Sequence, residues 1–199
     1  AASDVYKRQD VPETIILADG DFPSHPLALE WLRQCPYVVC CDGAANTYIR
    51  SGRMPEAIVG DGDSLLPDIK ERYASLIHSE AEQETNDLSK AFRFCLSQER
   101  KRITIMGATG KREDHTIGNV SLLADYMEQA EVSMMTDYGI FVPIREDSMF
   151  ESYIGQQISV FNMNSTALSA EGLAYPLSVF TNWSVSYTHL RAHETDSYL

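Results

Sequence analysis

Between Thr14 and Asp137 the chain alternates short, mostly apolar runs with stretches of helical period, and this alternation limits its fold more than any other feature. Thr14–Ala18, Tyr37–Cys41, Ala57–Gly60, Leu76–His78, Arg102–Met106 and Glu131–Thr136 have the length and composition of strands. Between them, His25–Gln34, a short segment ending near Ser51-Gly52, Pro67–Tyr73, Asp87–Gln98 and Asp114–Gln129 read as helices. Ser24 and Pro26 open the first, and Thr85 or Asn86 caps the fourth. On that fourth helix Leu88, Ala91, Phe92 and Cys95 fall on one face; on the fifth, Ile117, Val120, Leu122, Leu123 and Met127 are expected to face inward. The order implies an α/β fold with a mostly parallel sheet and flanking helices. After Tyr138 the pattern changes. Phe141–Ile144, Gln157–Phe161 and Ala167–Ala170 read as short strands separated by turns, a small antiparallel β domain that stops early for a closed sandwich.

Sheets of the first kind bind ligands beyond the carboxyl ends of their strands. The chemistry-bearing residues of this chain gather at those ends. Val59-Gly60-Asp61-Gly62-Asp63-Ser64 places two carboxylates one residue apart after an apolar strand, with glycines that let the backbone turn and approach a ligand. Carboxylates so close repel unless a positive charge stands between them, and Mg²⁺ carrying substrate phosphates meets that need. Acidic residues recur at Asp42 in Cys41-Asp42-Gly43-Ala44-Ala45-Asn46, at Asp87 in Gln83-Glu84-Thr85-Asn86-Asp87, and at Asp114 after Gly107-Ala108-Thr109-Gly110-Lys111-Arg112-Glu113. The 107–110 loop suits a phosphate but lacks Walker A spacing. Each segment alone is also ordinary turn or helix-cap chemistry. Lys90 suits either a solvated surface or a phosphate, and His115 reads as structural at a helix start. Four such segments together point to metal–phosphate chemistry.

Charge sharpens this reading. The net charge of -13 argues against nucleic-acid binding, which needs a basic face, but is compatible with a metal-bound nucleotide. No apolar run approaches the roughly 20 residues of a membrane span, and no secretory signal is visible. Cys35, Cys40, Cys41 and Cys95 form no Cys-x-x-Cys pair and read as reduced, buried thiols, which suggests a cytoplasmic protein. Residues 1–9 and 184–199 resemble translated sequencing-adapter sequence, so the native portion is expected to run from about Asp10 to Trp183 with the true C-terminus missing.

Taken in order, Asp42-Gly43-Ala44-Ala45-Asn46, Gly60-Asp61-Gly62-Asp63-Ser64, Gln83-Glu84-Thr85-Asn86-Asp87-Leu88-Ser89-Lys90 and Gly107–His115 with Gly118-Asn119 resemble the thiamine pyrophosphokinase family, as does the later Gly172-Leu173-Ala174-Tyr175-Pro176-Leu177. The resemblance implies Mg-dependent transfer of pyrophosphate from ATP to thiamine, giving thiamine diphosphate and AMP, in a homodimer. It implies an ATP-binding α/β domain over residues 10–137 and a partial thiamine-binding β domain over 138–183. Asp61, Asp63 and Asp87 would be catalytic and hold Mg²⁺. Asp42 and Asn46 would line the nucleotide, Gln83, Lys90, Arg112 and Asp114 would orient the phosphates or their metal, and Ser64 and Thr85 would donate hydrogen bonds nearby. Another Mg-dependent nucleotide hydrolase, or a non-catalytic nucleotide-binding domain, would carry the same acidic cluster.

Overall fold

The computed structural model describes residues 10–80, 85–150, 155–163, 169–170 and 190–191. Seven strands form one sheet: β1 Thr14–Leu17, β2 Val38–Cys41, β3 Ala57–Gly60, β4 Ile77–Ser79, β5 Arg102–Met106, β6 Glu131–Met135 and β7 Ile140–Phe141. Every residue of β1, β2 and β3 is buried, as continuous apolar runs covered on both faces should be. The strand order is β4-β3-β2-β1-β5-β6-β7. All neighbours are parallel except β6 and β7. The α/β reading of the sequence is thus the observed fold. Phe141–Ile144, expected to begin the β domain, contributes instead to β7 on the edge of the large sheet, because Gly139 turns the chain back onto β6 through its carbonyl oxygen, which accepts from Thr136 N–H at 2.9 Å.

Five helices connect these strands: α1 Pro26–Gln34, α2 Ala44–Arg50, α3 Pro67–Arg72, α4 Asp87–Ser97 and α5 Glu113–Tyr126. Ile16, Val39, Val59, Ile105 and Met134 project from one sheet face onto Leu88, Phe92 and Cys95 of α4 and Leu123 and Tyr126 of α5. The rings of Phe92 and Tyr126 stack at 3.9 Å between centroids, joining the two helices. Burying one such ring stabilises the fold by about 1.5–3 kcal/mol. Asn86 caps α4 by accepting from Ser89 N–H at 2.9 Å. On α1 the cap is His25, whose Nδ1 accepts from Leu27 N–H at 3.2 Å, not Ser24.

Ile117 does not face inward: it is 71% exposed. The buried stripe of α5 runs through Asn119, Leu123 and Tyr126, and position 117 lies about 200° around the helix from 119. Asn119 takes the inward place because its amide reaches the carbonyl oxygen of Ala108 at 2.8 Å. The four cysteines are free thiols.

The chain divides into two compact units, one spanning residues 9–147 and the other made mainly of residues beyond 147. In the second, β8 (Gln157–Ile158) pairs antiparallel with β9 (Leu190–Arg191). Most of the segments expected to complete the β domain lie outside the described residues. No helix among the described residues is long and apolar enough to cross a membrane.

Candidate active site at the carboxyl ends of the strands

The strand order fixes where a site can form. From β1 the sheet grows outward through β2, β3 and β4, and the chain then returns to lay β5 on the other side of β1. The loops leaving β1 and β5 therefore depart on either side of a topological switch point, where such sheets open a crevice. Here they are tied together: Gly20 N–H donates to Gly107 O at 2.6 Å and Asp21 N–H to Thr109 O at 2.8 Å. A Cβ at Gly20 would stand 2.4 Å from both carbonyl oxygens, so only glycine fits.

Beside this crevice lies a carboxylate cluster. Asp42, one residue past β2, is 2% exposed. Its Oδ2 accepts from Ser64 N–H at 2.9 Å, while its Oδ1 is buried and receives no donor. Burial raises the Asp42 carboxyl above its ordinary value; the Ser64 N–H opposes this, and Asp87 and Asp61 add to it. Asp61 stands within hydrogen-bonding range of Asp42. Two ionised carboxylates cannot satisfy that contact: it needs a proton on one or a cation against both. Of the two, buried Asp42 holds a proton more readily, because exposed Asp61 is held low by the N–H of Asp63, with Asp42 and Lys90 contributing. The Asp63 N–H lies 3.1 Å from Asp61 Oδ1. Gly60 permits the approach, since a Cβ there would meet the Asp42 Cβ at 2.8 Å.

Lys90 supplies the buried positive charge. Its side chain is 5% exposed and its Nζ lies 3.3 Å from Asp87 Oδ1. The cap at Asn86 starts α4 so that Asp87 and Lys90 fall one turn apart on the side facing the cluster. Asp42, Asp61, Asp87 and Lys90 are therefore brought together. Asp63 contributes its backbone N–H, and its side chain is exposed. Among the described residues no three His, Cys, Asp or Glu side chains are placed to hold a metal ion unaided, so Asp61, Asp63 and Asp87 do not form a preassembled cage.

The remaining sequence candidates are distributed around this cluster. Asn46 braces the loop after β3, its amide donating to Ser64 O at 2.8 Å and accepting from Leu66 N–H at 3.0 Å. Thr85 Oγ1 accepts from Arg93 at 3.0 Å. Arg112 and Asp114 pair with each other at 2.5 and 3.1 Å on an exposed surface. Gln83 lies outside the described residues.

Some contributors were not read from the sequence. Asp19 and Lys111 pair across the switch point, with Nζ 2.9 Å from Asp19 O and 3.1 Å from its Oδ1. Asp19-Gly20-Asp21 repeats the acid–glycine–acid pattern of Asp61-Gly62-Asp63, which is the signal that marks it. Asn119 accepts from the Asn86 amide at 3.2 Å, linking the start of α4 to the loop after β5. Asp137, just past β6, accepts from the backbone N–H groups of Ser24 and His25, both at 2.9 Å, and so anchors the start of α1.

Known proteins match this chain in sequence and in fold. A family model described as thiamin pyrophosphokinase, catalytic domain, matches residues 28–135, and one for the substrate-binding domain of the same enzyme matches residues 139–184. Thiamine pyrophosphokinase 1 of Oryza sativa subsp. japonica is 28% identical over 180 residues, covering 75% of this chain and 67% of that protein. Thiamin pyrophosphokinase 1 of Caenorhabditis elegans is 30% identical over 110 residues, covering 51% and 45%. The match thus spans two thirds of the rice protein and under half of the nematode one. Among solved structures, the thiamine pyrophosphokinase of Bacillus subtilis superposes with a TM-score of 0.70 at 23% identity, covering 90% of this chain and 89% of that one. A thiamin pyrophosphokinase family protein from Enterococcus faecalis gives 0.66 at 17% identity, covering 92% and 90%.

Proposed function

This chain belongs to the thiamin pyrophosphokinase family, and we propose that it transfers the pyrophosphoryl group of ATP to the hydroxyl of thiamine, giving thiamine diphosphate and AMP. The hydroxyl oxygen forms a bond to the β-phosphorus. The bond from that phosphorus to the oxygen bridging toward the α-phosphorus breaks, AMP leaves, and the hydroxyl proton passes to a base. An alcohol is a poor nucleophile, so the reaction depends on in-line positioning and on neutralising phosphate charge.

The observation that carries the reading is Asp42 Oδ1: a buried carboxylate oxygen with no donor, on a side chain in hydrogen-bonding range of Asp61 and influenced by the charge of Asp87. A buried carboxylate oxygen without a donor, on a side chain that interacts with two further carboxylates, fits a divalent cation. Mg²⁺ takes few protein ligands and fills the rest of its shell with phosphate oxygens and water, which agrees with a cluster that is no complete cage. Asp42, Asp61 and Asp87 would hold it, with Asp63 beside them; when bound, it would neutralise the phosphate oxygens it meets. Lys90 holds Asp87 in place and offsets the charge of Asp61. Asn46 and the Ser64 N–H fix the loop that presents Asp61 and Asp63.

On the same reading residues 10–137 bind ATP, residues 138–183 contribute to the thiamine side, and the working form is a homodimer in the cytoplasm. The test is a coupled assay of AMP release with ATP and Mg²⁺, with and without thiamine. AMP release that depends on thiamine supports the transfer. Equal release without thiamine assigns the cluster to hydrolysis instead.

A further inference from the structure

The loop after β5 carries two adjacent cations, and they point to different partners. Arg112, the residue the sequence reading places on the phosphates, lies on Asp114, and both side chains are 64% exposed. Lys111 reaches the opposite way, across the switch point, to the carbonyl oxygen and Oδ1 of Asp19. The other oxygen of Asp19 rests over Gly43, where a Cβ would stand 2.4 Å from Oδ2. Gly43 directly follows Asp42. Lys111 Nζ is thus held by a carboxylate lying against the loop that starts with the orphaned Asp42.

Two features show that this pairing is not simply structural. The side chains of Lys111 and Asp19 are 54% and 48% exposed, and half-exposed ion pairs contribute little to stability. The backbone at Lys111 takes a φ of +57, directly after Gly110 at +79. Glycine occupies that region freely, while a lysine there is strained. The chain keeps a long cation in an unfavourable backbone conformation for a weak pair, at the place where a polyphosphate would arrive.

We propose, resting on the nucleotide reading above, that Lys111 is a phosphate-binding cation of the loop after β5, and that Asp19 is the acceptor on which it rests until phosphate displaces it. Without nucleotide, Nζ rests on Asp19. When ATP binds, Nζ exchanges that carboxylate for oxygens of the polyphosphate, an acceptor of the same kind but of higher charge, and half-exposed Asp19 returns to water.

The experiment is equilibrium binding, with Mg²⁺, of AMP and of an ATP analogue with a non-cleavable α–β bridge. The proteins are the unmodified chain and its K111M, K111R, K111G and D19N variants. K111M is expected to lose about tenfold for the triphosphate analogue and to change little for AMP, since the lost contact is charge-assisted and made to phosphates beyond the first. K111R restores most of that loss. K111G relieves the left-handed strain, keeps or raises the melting temperature, and shows the same selective loss, so the outcome stands even where K111M unfolds. D19N binds the analogue more tightly, because the competing acceptor is weakened. The proposal is overturned if K111M and K111G bind the analogue as the unmodified chain does, if AMP and analogue are lost in equal proportion, or if D19N binds the analogue more weakly. An unmodified chain that binds no Mg·ATP analogue overturns the nucleotide reading itself, an outcome distinct from loss of the Lys111 contact alone.

Discussion

At the scale of the residue, the decisive group is Asp42. A buried carboxylate with one N–H donor and two carboxylates nearby destabilises the empty fold. Its raised value means that the folded state prefers the protonated form. The cost of ionising it is therefore present above the folded value and is relieved as pH falls toward the unfolded carboxylate range near 3.8. Asp42→Asn should remove this cost. Asparagine can still accept the Ser64 N–H and adds no charge beside Asp61. The variant is expected to be more stable than the parent at pH 7 by about 1 kcal/mol, measured by denaturant unfolding in the absence of metal. It should also lose the rise in melting temperature that Mg·ATP gives the parent, because a ligand stabilises only the state that binds it. A destabilised Asp42→Asn protein, or one whose melting temperature still climbs with Mg·ATP, would show that the orphaned oxygen is not the cation-seeking group.

At the scale of the element, the site depends on how helix starts are tied to neighbouring loops. The Asn86–Asn119 contact holds the first turn of α4, and with it Asp87 and Lys90, against the loop after β5 through Ala108 O. Asn86→Ala removes both the cap and that tie. It should cost about 1 kcal/mol in stability and raise KM for Mg·ATP more than it lowers kcat, while Asn86→Ser, which keeps a cap, should recover the stability but not the KM. Steady-state kinetics alongside thermal melting separate the two effects. Asp137 plays the corresponding part for α1. Burial works against its ionisation, but hydrogen bonds from Ser24 and His25 outweigh this and hold the carboxyl below its ordinary value. A depressed carboxyl adds stability that is present above the unfolded value and is lost as pH falls through the folded one. Asp137→Asn should thus be less stable than the parent by about 1 kcal/mol at pH 7, after discounting for partial exposure. That gap should close in unfolding curves taken below pH 3.8. A gap independent of pH would assign Asp137 a packing role.

At the scale of the whole molecule, what the sequence reveals is set by the range of the interactions involved. The central parallel strands were legible because β1, β2 and β3 are short runs whose burial on both faces leaves an apolar record in consecutive residues. The acidic segments were legible because glycine and aspartate cluster at strand ends within a few positions. The switch point between β1 and β5 was not, since strand order leaves no periodicity, and so the Asp19–Lys111 pair, 92 residues apart, went unseen. Ile117 was misplaced because hydrophobicity alone cannot register that Asn119 has a buried carbonyl to satisfy. Net charge, by contrast, belongs to the molecule as a whole, and it yields a last expectation. With 16 Lys and Arg against 29 Asp and Glu, carboxylates remain in surplus after every cation is paired. Exposed pairs such as Arg102 with Glu13 and Glu131 stabilise little, so repulsion among the unpaired carboxylates governs the response to salt. Raising ionic strength from about 0.01 to 0.15 M shortens the screening length from roughly 30 to 8 Å. That range spans the distances between separate acidic patches but not the contact distance of an ion pair. Salt should therefore relieve repulsion more than it weakens attraction, and raise the melting temperature by about 2–4 °C for each kcal/mol gained in a chain of this size. Melting curves in sodium chloride without divalent ions check this, and a falling melting temperature would show instead that the surface ion pairs govern the balance.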